Sequence, residues 1–367
     1  MENKTFDLDD WNEEYIKRYT ASTVILSIYL LFGVVGNLTV LIIYSTKMHS
    51  KQDDRYFIPF LAGVDFVGCV VSTSEILIEN NEPYKYPGNF TCKSLHMSAC
   101  ASIVSSTFML LVIAIQRYQK ICRTFGFQMN LSFKRIAASL IISLACGFAL
   151  PITFLYGIVE VYHPTKNITG FRCGPVPNTD TFREIYQGII ITAEASSVIC
   201  MSVLYALVGY TLVKKMKYPK KSTHSVALKS IPSSKVEKST EETETFDTIT
   251  ETKTIENMES KKKSKCPPKT KRSKGLTGKQ YSLMFMVISL VSILCFFPPW
   301  IFMILETQDK TFWNHLSFQE AQVFNIIRGM FILNFVVNPF IYGFFDSKFR
   351  GKILECLVSL KRFIVTS

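Results

Sequence analysis

Five polar side chains fall inside stretches otherwise oily enough to lie in hydrocarbon: Asn37, Asp65, Ser106, Asn334 and Asn338. Polar and ionisable groups there are costly, so they face the interior of a helix assembly and seek partners. Asn334 and Asn338 are four residues apart and share one helix face. Pro339 beside them donates no backbone hydrogen bond, which frees a carbonyl and bends the helix. With Asp65 as its centre, the set has two chemistries open to it. It can take up a sodium ion or a proton and exchange hydrogen bonds between two states, or it can act as static glue between helices.

A second set is charged: Glu75, Glu79, Glu194 and Arg328 lie toward the outer ends of apolar segments, where they could line one cavity. Arg328 either holds an acidic or carboxylate-bearing ligand or pairs with Glu75 at rest, and the two readings are alike at this level. Catalysis is poorly served. The histidines (His49, His96, His163, His224, His315) are scattered, and neither paired aspartates nor a zinc-ligand constellation accompanies them. His96 reads as a pocket-lining or structural residue rather than a metal ligand, and the chain is not expected to be an enzyme. No metal site and no cofactor are expected beyond the sodium ion that Asp65 could hold.

Those residues need elements to carry them. The 367 residues are 48% hydrophobic and 13% aromatic, too apolar for an ordinary soluble domain. Seven apolar runs are long enough to cross a hydrocarbon core of about 30 Å: 21–45, 56–79, 94–116, 135–158, 185–213, 281–305 and 320–345. Met1 to Tyr19 is acidic and polar, so the first run is expected to serve as its own insertion signal. Lys47, Lys51, Arg55, Arg117, Lys120, Arg123, Lys134 and Arg135 gather on one side, which places the N-terminus outside and the C-terminus inside. The net charge of +12 then reflects topology and attraction to anionic lipid, not nucleic-acid binding.

Of ten cysteines, only Cys92 and Cys173 fall in outward segments. They are a disulfide candidate tying the third span to the second outer loop, the alternative being two unpaired thiols. Outward sequons at Asn3, Asn89 and Asn167 are glycosylation candidates, whereas those at Asn37 and Asn130 lie in a span and an inner loop. Residues 216–279 are charged and Ser/Thr-rich, and cannot bury enough apolar surface to order themselves. This is expected to be a disordered cytoplasmic loop and a phosphorylation substrate.

An ordered set of motifs carries a resemblance: "GNLTVLIIY" in the first span, "LAGVD" in the second, Cys92 opening the third, "QRY" at its inner end, "CFFP" in the sixth and "NPFIY" in the seventh. Together they resemble the rhodopsin-like (class A) G-protein-coupled receptors over nearly the whole chain. The resemblance implies an all-α membrane protein, a seven-transmembrane helix bundle in which an outside ligand opens an inner cavity for a heterotrimeric G protein. It implies an extracellular segment 1–20, a bundle 21–345, and a tail 346–367 with a short amphipathic eighth helix, in a multi-pass protein of the plasma membrane. Arg117 would contact the G protein with Tyr118 beside it, Tyr205 and Tyr342 would swing inward, and Pro298 would be the sixth helix's hinge. In "FFDSKFRGKILECL", Phe344, Phe345, Phe349, Ile353 and Leu354 would face lipid, with Lys348, Arg350 and Lys352 toward water and Cys356 a palmitoylation candidate.

Departures from the family pattern matter as much. Gln116 replaces the acid usual before the arginine, and Gly278 stands where some receptors carry a locking acid, so elevated ligand-free signalling is expected. The fourth span lacks tryptophan, Ser197 takes the fifth span's proline position, and Phe296 replaces the tryptophan of "CWxP". Ala99 stands where amine receptors carry an aspartate, and no lysine in the seventh span could hold retinal. A short extracellular peptide suits an aromatic pocket with glutamates and one arginine. A seven-helix transporter is the alternative, although no internal repeat is found.

Overall fold

The computed structural model describes residues 6–47, 55–217, 274–308 and 312–366. Helix α1 (Leu8–Ile42) begins well before the apolar run expected at 21–45, because the Asp7 side chain accepts from the Asp9 and Asp10 amides and the Asp10 side chain accepts from the Asp7 amide in a capping box. It runs on as a π-helical turn, Ile43–Lys47. Then follow α2 (Ile58–Asn81) and α3 (Asn89–Ile121). Gly88, at φ +133°, forms the entry to α3 in a conformation that side-chain-bearing residues rarely adopt.

Helix α4 (Leu131–Ala149) is capped by Asn130, whose Oδ1 accepts from the Phe133 amide at 2.8 Å. Pro151 ends it and a single turn follows, α5 (Ile152–Leu155). The expected fourth span, 135–158, therefore overshoots. Tyr156, Gly157 and Ile158 belong to strand β1 (Tyr156–Tyr162), which pairs antiparallel with β2 (Thr169–Pro175). This hairpin was not anticipated, since its apolar β-branched residues continue the composition of the span before it.

Helix α6 (Asp180–Lys217) is the fifth span and α7 (Lys274–Gln308) the sixth. Most of the expected disordered loop 216–279, with its phosphorylation candidates, lies outside the described residues. Helices α8 (Phe318–Arg328) and α9 (Phe331–Phe345) meet at a 52° bend and together make one span. Among the described residues, six further helices are each long and apolar enough to cross a membrane, giving seven spans. Their outward faces expose Leu31, Val35, Ile136, Leu144, Ile199 and Leu294, as lipid-facing surfaces do.

The bend in the seventh span was expected at Pro339, but the break lies at Gly329–Met330 and Pro339 sits inside an unbroken α9. The missing amide of Pro339 leaves the Phe335 carbonyl without its helical donor, and Asn37 Nδ2 fills that place at 2.8 Å. Two glycines on α1 allow the approach. A Cβ on Gly33 would collide with Cys69, and one on Gly36 would come within 3.0 Å of the Pro339 ring.

Helix α10 (Ser347–Thr366) follows the bundle. Phe344 and Leu354 are exposed, and Phe345 and Ile353 are partly buried against the core. Phe349 departs from its expected lipid-facing place: it is buried, its ring centroid 5.5 Å from that of Tyr44. Its helix register turns it inward, so α10 is anchored by an aromatic contact with the π-helical turn that follows α1.

Candidate functional site

The polar core lies where α2, α3, α7 and α9 meet. Asp65 is fully buried; its Oδ1 accepts from Ser106 at 3.0 Å and its Oδ2 from Asn338 Nδ2 at 2.6 Å. Asn334 Nδ2 donates to Ser106 Oγ at 3.4 Å, and the Ser292 hydroxyl reaches Asn334 Oδ1 at 2.5 Å. One chain of hydrogen bonds thus runs from α7 through α9 and α3 to α2 and back to α9. Asn37 stands beside it, spent on the Gly33 and Phe335 carbonyls at 3.0 and 2.8 Å. Sequence reasoning missed Ser292, whose signal was weak: serines recur throughout the apolar runs.

The ends of α2, α3 and α8 nearest the β1–β2 hairpin bring a charged cluster together. Glu75 pairs with His96 Nδ1, and Arg328 Nη1 lies 3.3 Å from Glu79 Oε2. Arg328 therefore pairs with Glu79 and not with Glu75, because the histidine one turn below Cys92 has taken Glu75. The His96 ring stacks on Tyr156 of β1, centroids 4.1 Å apart. Glu306, near the end of α7, is within electrostatic reach of both Glu79 and Arg328 and accepts from Trp313 Nε1 at 2.7 Å. A disulfide joins Cys92 to Cys173 and staples β2 to the mouth of α3. Cys173 Sγ, Glu79 and His96 have ligand atoms within 4.8 Å of one another, but that sulfur is committed to the disulfide.

Glu194 does not join this cluster. It is buried on α6 beside Thr107 of α3. Ala99 is buried on α3, and Phe296 is buried on α7 with its ring stacked on Trp300 at 6.3 Å. Above them the outer part of α1 forms a roof the sequence did not suggest. Trp11 stacks on Tyr84 at 3.7 Å, and Asn12 bridges the Asn81 carbonyl and the Tyr84 amide at 3.3 and 3.0 Å.

At the opposite end of the bundle Arg117 is buried; its Nη2 donates to Gln116 Oε1 at 3.4 Å and its guanidinium lies over the Phe285 ring at 5.1 Å. Tyr118 is partly buried, while Tyr205 and Tyr342 are buried. The Tyr342 hydroxyl has no hydrogen-bond partner among the described residues. Pro298 lies within α7, and Cys356 is partly buried on α10. Among the glycosylation candidates, Asn89 and Asn167 are exposed, Asn89 also accepting from the Ile158 amide at 3.2 Å, and Asn3 lies outside the described residues.

This arrangement agrees with comparison to known proteins. Neuropeptide FF receptor 2 of Mus musculus is 23% identical over 350 residues, covering 92% of this chain and 73% of the relative. Neuropeptide Y receptor type 4-2 of Homo sapiens is 20% identical over 350 residues, 92% and 78% of the two chains. The isotocin receptor of Catostomus commersonii is 23% identical over 345 residues, 94% and 78%. The model of the 7 transmembrane receptor (rhodopsin family) matches residues 36–342. With seven spans, the outer disulfide and the buried polar chain in place, this chain belongs to the rhodopsin family of seven-transmembrane receptors.

Proposed function

We propose that this receptor senses a short extracellular peptide and passes the signal to heterotrimeric G proteins, with its N-terminus outside the cell. The observation that carries the reading is the outer cluster, open to solvent at Arg328, whose side chain is 38% exposed. Three carboxylates (Glu75, Glu79, Glu306) surround Arg328 and His96, so the mouth holds an excess of negative charge. A peptide with a basic group would compete with Arg328 for Glu79, trading one ion pair for another without stranding a buried charge. The relatives named for peptides support the same class.

Beneath the mouth, the Asp65 chain is the element that two packings would rearrange. The buried Asn338 Oδ1 beside it lacks a partner among the described residues, and with the Asp65 carboxylate and Ser106 hydroxyl it makes an oxygen set suited to a small hard cation. Sodium is the cation proposed there; its role would be to neutralise Asp65 in the resting packing.

The test is a panel of synthetic peptides, basic and acidic, applied to cells expressing the full chain, read by second-messenger output. Basic peptides should act, and Glu79→Gln should weaken them at least tenfold at unchanged surface expression. Activity confined to acidic peptides would overturn the charge argument. Solute uptake without nucleotide exchange would favour a carrier.

A further inference from the structure

The inner end of α7 is fastened by a carboxylate that the reading above does not use. Asp346, between α9 and α10, is 4% exposed and carries five donors. Its Oδ2 accepts from the Tyr44 and Tyr281 hydroxyls at 2.9 and 3.0 Å. Its Oδ1 accepts from Arg55 Nη2 at 2.9 Å and from the Lys348 and Phe349 amides at 3.0 and 3.3 Å. The amide bonds cap α10, and the side-chain bonds gather three other segments: the end of α1, the turn before α2, and α7. The Arg55 guanidinium also lies over the Tyr281 ring at 5.0 Å.

Neither Gln116 nor Gly278 offers a carboxylate to hold α7 to α3. We propose that Tyr281, bound to Asp346 and covered by Arg55, is the latch that keeps the inner end of α7 closed against the α9–α10 junction. Opening the inner cavity would then require this contact to break. The inference rests on the G-protein reading for its consequence, though not for its geometry. Such a latch would oppose the elevated ligand-free signalling expected from the missing acids.

The energetics suit a switch. A phenol donating to a buried carboxylate is a charge-assisted bond, and the cation over its ring adds to it. When Tyr281 leaves, Asp346 keeps Tyr44, Arg55 and two amides, so no buried charge is stranded. The contact is thus weak enough to open and specific enough to close.

The experiment uses the full chain with nitroxide labels on encoded keto residues at positions 283 of α7 and 133 of α4, both exposed. Label-to-label distances are measured together with basal nucleotide exchange on a panel of heterotrimers. Tyr281→Phe keeps the ring under Arg55 and removes only the hydroxyl; it should raise the long-distance population about fivefold. Asp346→Asn, which still caps α10, should raise it further because it also loosens Arg55. Distances that shift while no heterotrimer responds uphold the latch and remove the G-protein reading. An unchanged distance distribution in well-expressed Tyr281→Phe overturns the latch, whatever the exchange rate.

Discussion

The receptor carries an ion pair at each end of its bundle, and the two are built differently. At the outer mouth, Arg328 and Glu79 are 38% and 20% exposed and 3.3 Å apart. At the inner end, the side chains of Arg55 and Asp346 are 7% and 2% exposed, 2.9 Å apart, and reinforced by two tyrosines and two amides. An ion pair that water partly reaches contributes less to stability and exchanges partners more readily than a sealed one. One sealed from water, with every lone pair occupied, is costly to break by removing a partner. The Arg328–Glu79 pair is therefore suited to exchanging partners and the Arg55–Asp346 pair to holding a conformation.

That contrast can be broken by mutation. The largest expected effect is Arg55→Ala, which leaves Asp346 buried without its cation and should cost about 3 kcal/mol or more, read as lost thermal stability of detergent-purified protein. A variant as stable as the native chain would show that the inner pair is not sealed. Asn37→Ala comes next. It strands the Phe335 carbonyl and should cost about 1–3 kcal/mol, measured as a lower melting temperature, with the smaller Asn37→Asp change restoring no donor and no stability. At the mouth, Arg328→Ala and Glu79→Ala should couple by only about 1 kcal/mol in a double-mutant cycle on stability, while both alter peptide potency. Coupling as strong as at the inner end would erase the distinction. The smallest effect belongs to Lys352→Ala on α10, whose pair with Glu355 is solvent-exposed; its cost should stay below about 0.5 kcal/mol.

Much of this architecture was legible in the sequence, and the parts that were not share a cause. Runs of apolar residues locate spans because length and hydropathy are one-dimensional properties. The two outward cysteines and the five polar side chains stood out because each was anomalous in its surroundings. Which partner each side chain meets depends on helix rotation, which a single chain does not print. Arg328 met Glu79 instead of Glu75, and Phe349 turned toward Tyr44 instead of lipid. Pro339 announced a free carbonyl, but only the fold shows Asn37 supplying its donor and the bend falling at Gly329. The α1 extension was readable in principle, since Asp7 and Asp10 spell a capping box ahead of the apolar run.

The N-terminal extension of α1 ties together segments distant in sequence. Trp11 lies on Tyr84, the backbone of Tyr84 bonds to Phe171 in the hairpin, and Gly170 leaves no room for a side chain between them. A tryptophan, a loop and a strand far apart in sequence are thus held together near the ends of the first two helices. A methyl group at position 170 would press on the Tyr84 Cβ and carbonyl and meet the Trp11 ring, loosening all three at once.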